Sequence, residues 1–182
     1  MTQFSPIIVA FSLPEIAKRE LTRLNNNCDK NKGIDFNLHI PHVTLWMGFV
    51  EDLKSIEKEF YRVFSSLELE IQIKEQTIFH GVNGDVLSLS LERNRTLEIL
   101  QNRIHHFFEP FRVHGNQNEN LSENTVTYMN DFPNKSCLNY DGHITVGYSS
   151  NLAYTTLNKI KVKEPKIFLA GNNCTCLKVI HS

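Results

Sequence analysis

Apolar positions along the chain mark out short strands and a few amphipathic helices. Ile7, Ile8, Val9, Ala10 and Phe11 run together between Pro6 and Pro14 and predict a buried strand over Pro6–Ser12. Pro14 suits the first turn of a helix reaching about Leu24, with Ile16, Ala17, Leu21 and Leu24 on its apolar face. A polar, turn-rich stretch, Asn25–Phe36, precedes a second strand, His42–Val50. Leu53, Ile56, Phe60, Phe64 and Leu67 recur at helical spacing and predict a helix over Glu51–Leu67. Leu69–Ile73 alternates as a strand, Gln76–His80 can form another, and Asn83-Gly84 marks a hairpin turn. In the next strand, Asp85–Glu92, Val86, Ser88 and Ser90 oppose Leu87, Leu89 and Leu91.

A helix over Arg95–Phe108 carries Leu97, Leu100, Ile104 and Phe108 on one side and ends before Pro110. His114–Asn139 is long, rich in asparagine and weakly patterned, and is expected to form a flap or a disordered insertion. The turn dipeptide Asp141-Gly142 opens a strand over His143–Tyr148. A weak helix over Leu152–Ile160 and a closing hairpin, Lys166–Leu169 with Cys174–Ile180, complete the pattern. One order therefore occurs twice: strand, helix, strand, helix, strand, first from Ile7 to Ile73 and again from Asp85 to Leu169. The halves differ mainly by the asparagine-rich insertion, about 114–139.

Each half places a histidine at the start of its middle strand: His42-Val43-Thr44-Leu45 and His143-Ile144-Thr145-Val146. Both read His, apolar, Thr, apolar. Eight histidines at this composition yield roughly 0.2 such matches by chance, which makes two matches in equivalent places informative. Alternation along a strand puts His42, Thr44 and Trp46 on one face and Val43, Leu45 and Met47 on the other. His143 and Thr145 likewise oppose Ile144 and Val146. If a pseudo-twofold relates the halves, the polar faces meet as two imidazoles and two hydroxyls. That set suits cleavage of a phosphate ester: one neutral imidazole takes a proton from the attacking oxygen and one imidazolium gives a proton to the leaving oxygen. The threonine hydroxyls can donate to the non-bridging oxygens. The pattern leaves the base and acid nearly interchangeable; His143 as base and His42 as acid is the starting assignment. Trp46 is a candidate to stack on a base and Tyr148 to line the cleft, with burial at the lobe junction or in the core the competing reading for each.

The sequences IPHVTLWMGF and DGHITVGY resemble the two-histidine (2H) phosphoesterase superfamily, which includes bacterial 2′-5′ RNA ligase-like proteins and cyclic nucleotide phosphodiesterases. The resemblance takes in the opening strand and helix, both motifs and the repeated order. It implies an α+β, bilobal fold with two antiparallel sheets facing a central cleft and helices outside. It implies catalysis by His42 and His143 with Thr44 and Thr145 on the phosphate, no metal or other cofactor, and substrates such as 2′,3′-cyclic phosphates or 2′-5′ linkages at nucleotide or RNA ends. The segment Asn116–Asn139 matches nothing in that pattern.

Bulk properties narrow the alternatives. The 182 residues fit one domain or two coupled lobes, and a chain this size buries roughly 70% of its unfolded surface without a disulfide or metal. A net charge of -1 advertises no broad face for duplex nucleic acid but leaves room for a small anion in a pocket. Cys28, Cys137, Cys174 and Cys176 include no Cys-x-x-Cys pair, and Cys174 and Cys176 are expected to share a strand face. Free thiols, an N-terminus without a basic leader and no apolar run near the ~20 residues of a membrane helix point to a cytoplasmic, membrane-free monomer. His39 and His42 fall on opposite faces at strand period, which argues against a metal pair. Lys159, Lys161, Lys163 and Lys166 read as a solvated basic face, and His105-His106 as surface or half-buried histidines. There is no phosphate loop, no Gly-x-Ser-x-Gly elbow and no lysine motif for nucleotidyl transfer, so ligation is expected only by reversal of the diester chemistry. The alternative to an enzyme is a module of the same fold that binds a nucleotide or RNA end without turnover.

Overall fold

The computed structural model describes residues 4–81, 83–116, 120–138 and 140–180. In chain order the elements are β1 Ser5–Ser12, α1 Glu15–Asn25, β2 His42–Val50, α2 Leu53–Phe64, β3 Glu68–Gly81, β4 Gly84–Leu91, α3 Arg95–Phe108, β5 Arg112–Val113, α4 Glu123–Leu138, β6 His143–Tyr148, β7 Lys159–Lys163, β8 Lys166–Ala170 and β9 Cys176–Val179. The strands form two antiparallel sheets, one ordered β5-β2-β1-β8-β9 and the other β6-β4-β3-β7. This is the α+β architecture of two antiparallel sheets that the resemblance implied. The halves exchange strands: β3, third in the first half, pairs with β4, while β8 from the second half pairs with β1.

The local rules behind these elements are visible in their ends and faces. Asn94 caps α3, its Oδ1 accepting from the Thr96 and Leu97 backbone N–H groups at 2.9 and 3.3 Å. Ile7, Val9 and Phe11 of β1 and Leu87, Leu89 and Leu91 of β4 turn toward one main core shared by α1, α2 and α3. A second, smaller cluster lies on the other face of the first sheet. There Ile8 and Ala10 of β1, Met47 and Phe49 of β2 and Phe168 of β8 meet Val126 and Met129 of α4. Three helices thus pack against the main core, and the fourth lies on the cleft side of the first sheet.

Three expectations are revised. The asparagine-rich stretch is largely a helix, α4, begun by Ser122, whose Oγ accepts from the Thr125 backbone N–H at 3.3 Å. Its polar composition and the internal Pro133 mask the apolar stripe of Val126 and Met129, and Pro133 itself is buried. Residues 117–119 and 139 of that stretch lie outside the described residues, as do Met1–Gln3 of the N-terminus and the side chain of Cys137. The predicted helix over Leu152–Ile160 is instead an irregular segment running into β7. Its backbone is held by side chains: the Ala153 N–H donates to Gln76 Oε1 at 3.0 Å and Arg23 donates to the Tyr154 carbonyl at 2.6 Å. β3 is one continuous strand where two were expected, its first part pairing with β7 and its second with β4.

Candidate functional site

β2 and β6 share an irregularity not encoded in simple alternation. Val9 of β1 lies opposite Trp46 and Ala10 opposite Thr44, so Leu45 is an extra residue; Leu87 lies opposite Gly147 and Ser88 opposite Thr145, so Val146 is extra in the same way. Each is a β-bulge directly after the motif threonine, and each reverses the side-chain parity beyond it. His42, Thr44 and Met47 therefore share the cleft face, as do His143, Thr145 and Tyr148. The second bulge depends on Gly147, whose φ of 157° is outside the usual range of side-chain-bearing residues. A Cβ there would come within 2.9 Å of the Asn25 amide nitrogen. Buried Asn25 occupies that space usefully, donating to the Val146 carbonyl at 2.8 Å and the Ile34 carbonyl at 3.1 Å.

The bulge also corrects the placement of Trp46. Its indole belongs to the main core, fully buried and stacked on Phe108 with ring centroids 4.7 Å apart. It does not share the face of His42. Tyr148, by contrast, reaches the cleft wall beside Ile34 and Val86. The bulge at Leu45 removes Trp46 from the cleft, and the equivalent bulge at Val146 brings Tyr148 in.

The cleft has a volume of about 520 Å³ and gathers His42, Thr44, His143 and Thr145 in one chamber. Nδ1 of His42 lies 2.8 Å from the Ile40 carbonyl oxygen and Nδ1 of His143 lies 3.0 Å from the Asp141 carbonyl oxygen. A carbonyl only accepts, so each Nδ1 carries the proton and each Nε2 is the nitrogen left for chemistry. Both orienting carbonyls stand two residues before their histidine. The segments that carry them are anchored next to these carbonyls: the Ile40 N–H donates to the Cys176 carbonyl, and Gly142, the residue after Asp141, accepts from the Leu91 N–H, both at 2.9 Å. Among the described residues, the Thr44 and Thr145 hydroxyls have no hydrogen-bond partner and remain free for a ligand.

Burial pushes the pKa of His42 down from 6.5 to about 4, partly opposed by the Ile40 carbonyl; charge on His143 or His39 would push it the same way as burial. His42 is therefore neutral at neutral pH. Phe79 sets its ring edge-on to His143 at 6.0 Å between centroids, and Phe168 lies 6.5 Å from His42. His39 also reaches the chamber. It sits in a turn ahead of β2, so the strand period used to place it on the opposite face does not apply. Among the described residues no three His, Cys, Asp or Glu side chains cluster as a metal would need. Cys174 and Cys176 line the same chamber, and burial raises the Cys174 thiol to about 12 and Cys176 well above its ordinary value. Cys174 has a positive φ and precedes β9, so the expected strand geometry of that pair is not formed. Lys159, Lys161 and Lys163 alternate outward along β7 and do not line the chamber.

Other residues at the site escaped the sequence pattern. Asn124, Thr125, Tyr128 and Phe132 enter from α4. Tyr140, half-buried just ahead of β6, donates its hydroxyl to the Thr44 carbonyl at 2.7 Å and so ties one motif to the other. A tyrosine beside the turn Asp141-Gly142 was the only available signal for that contact.

A family model described as the 2′-5′ RNA ligase superfamily matches residues 13–169. Among solved structures, the chain is similar to E. coli LigT in apo form, with a TM-score of 0.61 and 12% identity over 98% of this chain and 96% of that one. E. coli LigT complexed with 3′-AMP gives 0.60 and 12% over 98% and 97%. A structure described as a phosphoesterase gives 0.57 and 13% over 98% and 97%. At these identities the likeness establishes the fold. No curated protein matches the chain in sequence. Among the described residues no helix is long and apolar enough to cross a membrane.

Proposed function

From the premise that this chain belongs to the 2′-5′ RNA ligase superfamily of two-histidine phosphoesterases, we propose that it is a phosphodiesterase acting at a ribose 2′-oxygen, on 2′,3′-cyclic phosphates or 2′-5′-linked nucleotides. The observation that carries this reading is the matched pair of imidazoles, each held at Nδ1 by the carbonyl two residues upstream and both lining one chamber. His42 is the base and His143 the acid, the reverse of the starting assignment, because burial keeps His42 neutral. Nε2 of His42 takes the proton from the attacking hydroxyl or water as the new P–O bond forms. Protonated His143 delivers a proton from Nε2 to the leaving oxygen as the old P–O bond breaks. Each transfer is worth about 10²–10⁴ in rate. Thr44 and Thr145 donate to the non-bridging oxygens, where charge accumulates. Crystalline complexes of E. coli LigT with 3′-AMP and with ATP support nucleotides as the ligand class.

This scheme routes no step through a metal, so activity is expected to survive EDTA; loss on chelation, restored by one metal, would overturn it. A ribose 2′-oxygen supplies either ring strain or an adjacent nucleophile, which a site with only two proton-transfer groups requires. The deciding experiment sets a nucleoside 2′,3′-cyclic phosphate and a 2′-5′ oligoadenylate against a DNA oligonucleotide. Turnover of a ribose substrate with none of DNA is expected. Efficient DNA cleavage sinks the 2′-oxygen requirement, and tight binding without any product favours a binding module.

A further inference from the structure

The chamber continues past the histidine pair into a second arm of about 450 Å³. Thr44, Phe79, Tyr128, Phe132 and His143 line both spaces, so the reacting phosphate would sit at their junction. The two arms differ in chemistry. The first is walled by aromatic and aliphatic groups with the Asn83, Asn124 and Asn173 amides. The second is floored by hydroxyls on the cleft-side face of the second sheet, Thr77 and Ser90 half-buried and Ser88 buried beneath them. Ser90 stands opposite His143 and Ser88 opposite Thr145 in the β4–β6 register. Thr77 of β3 bridges them, its Oγ1 lying 3.1 Å from Ser88 Oγ and 3.0 Å from Ser90 Oγ. Lys135 of α4 stands exposed at the side, paired with Asp131 at 3.0 Å.

Hydroxyls that both donate and accept match the vicinal hydroxyls and ring oxygen of a sugar, and they impose no charge on it. Beyond Thr77 and Ser90 the groove opens into a further hollow whose lining includes Glu75, Glu92, Glu98 and Asp141. The cations there, Lys74 and Arg93, are already paired with Glu75 and Glu98. Carboxylates outnumber cations at that end, so a further phosphate of a longer chain meets like charge.

We propose that the hydroxyl-floored arm seats the ribose of a second nucleoside unit, on the far side of the scissile phosphate from the aromatic chamber, and that the carboxylates beyond it end the binding track there. The proposal rests on the phosphodiesterase reading for the identity of the phosphate. The substrate class that follows is a diester flanked by two nucleosides, recognised as a dinucleotide-sized unit.

The test is binding to the His42→Ala protein by calorimetry, with adenosine 2′-monophosphate, 2′-5′-linked diadenylate and 2′-5′-linked tetra-adenylate as probes. The dimer is expected to bind at least ~10-fold more tightly than the monophosphate, and the tetramer within ~3-fold of the dimer. Adding Ser90→Leu, which fills the arm, should shrink the dimer's advantage to about 2-fold or less. Lys135→Ala, at an exposed position that does not challenge folding, should reduce it by about 2–3-fold. Equal affinity for monophosphate and dimer overturns the arm, as does an advantage untouched by both substitutions or one that keeps growing with length. Turnover by the unmutated protein is read separately. Cleavage without a dimer advantage defeats the arm alone, whereas a dimer advantage without cleavage defeats the phosphodiesterase reading alone. Failure of all three probes to bind defeats the arm as well.

Discussion

β2 and β6 carry the same main-chain events in the same order: an orienting carbonyl, a histidine, a threonine, then a bulge. Their surroundings differ. The cleft face of the first sheet is apolar beyond the motif, built from Ile8, Ala10, Met47 and Phe168, and α4 lies on it. The cleft face of the second sheet bears Thr77, Ser88 and Ser90 and contributes to the open groove. The hydrogen bond that orients His42 is partly buried, and the one that orients His143 is exposed. Two near-identical backbone devices are thus placed in unlike media. Desolvation holds one imidazole neutral without any change in its own hydrogen bonding, and the proposed division of roles follows from that difference.

The comparison breaks most visibly at the histidines themselves. His42→Ala and His143→Ala should each lower kcat by at least ~10², and the double variant should lose little more, because the two act on one phosphate. A folded single variant with near-full turnover would remove that histidine from the chemistry. Next in size is the tie between the motifs. Tyr140→Phe deletes the hydroxyl that reaches the Thr44 carbonyl, and should lower kcat by about tenfold with KM nearly unchanged, since small misplacements of reacting groups are costly. An equal fall in kcat and rise in KM would mean a looser cleft rather than a misplaced pair.

The third test concerns pH. The acid limb of kcat/KM should fall near pH 4, where half-buried His42 takes its proton, rather than near 6.5. Folding stability should carry the same signature. Unfolded His42 is protonated below its ordinary value of 6.5, folded His42 only below about 4. Between those values the unfolded chain binds more protons, so stability falls as pH falls through the window. His42→Asn should flatten that slope in denaturant titrations. An unchanged slope would show that His42 is better solvated than its surroundings imply.

The smallest effect expected is at Trp46. The indole N–H is buried without a partner, a cost of about 1–3 kcal/mol that offsets part of the apolar area it contributes. Trp46→Phe should therefore change Tm modestly and KM by less than about 2-fold. Tyr148→Ala should raise KM several-fold more than that. A KM effect at Trp46 exceeding the one at Tyr148 would return Trp46 to the cleft.

Much of this arrangement was legible in the chain. The apolar runs of β1, β2, β4 and β6 and the stripes of α1, α2 and α3 fixed the elements, and the two His-x-Thr motifs marked where they converge. What escaped notice was tertiary in origin. Alternation assumes an unbroken ladder, and a single extra residue at Leu45 or Val146 inverts everything beyond it. No residue at Leu45 announces a bulge; at Val146 the following Gly147 does so only in retrospect. α4 was hidden because its apolar residues are few and Pro133 interrupts them, so its helical state rests on the sheet it covers. The hydroxyl floor was half visible: Ser88 and Ser90 stood out on an otherwise apolar strand, but Thr77 joins them only through the β3–β4 pairing.

The strand exchange between the halves has a temporal consequence. Ile7 pairs with Leu169, so the first sheet acquires its β1–β8 seam only once the second half has been synthesised as far as β8. Until then the first half can form the β1–β2 pair with its helices but not the sheet around them, and β3 waits for β4 from the second half. Pairing across such separations makes folding slow relative to helical domains of equal stability. It also means that neither half, expressed alone, has a complete sheet on which to present its histidine. The two sides of the site mature together, at the end of folding, and a chain cut between the halves should regain activity only when both fragments are mixed.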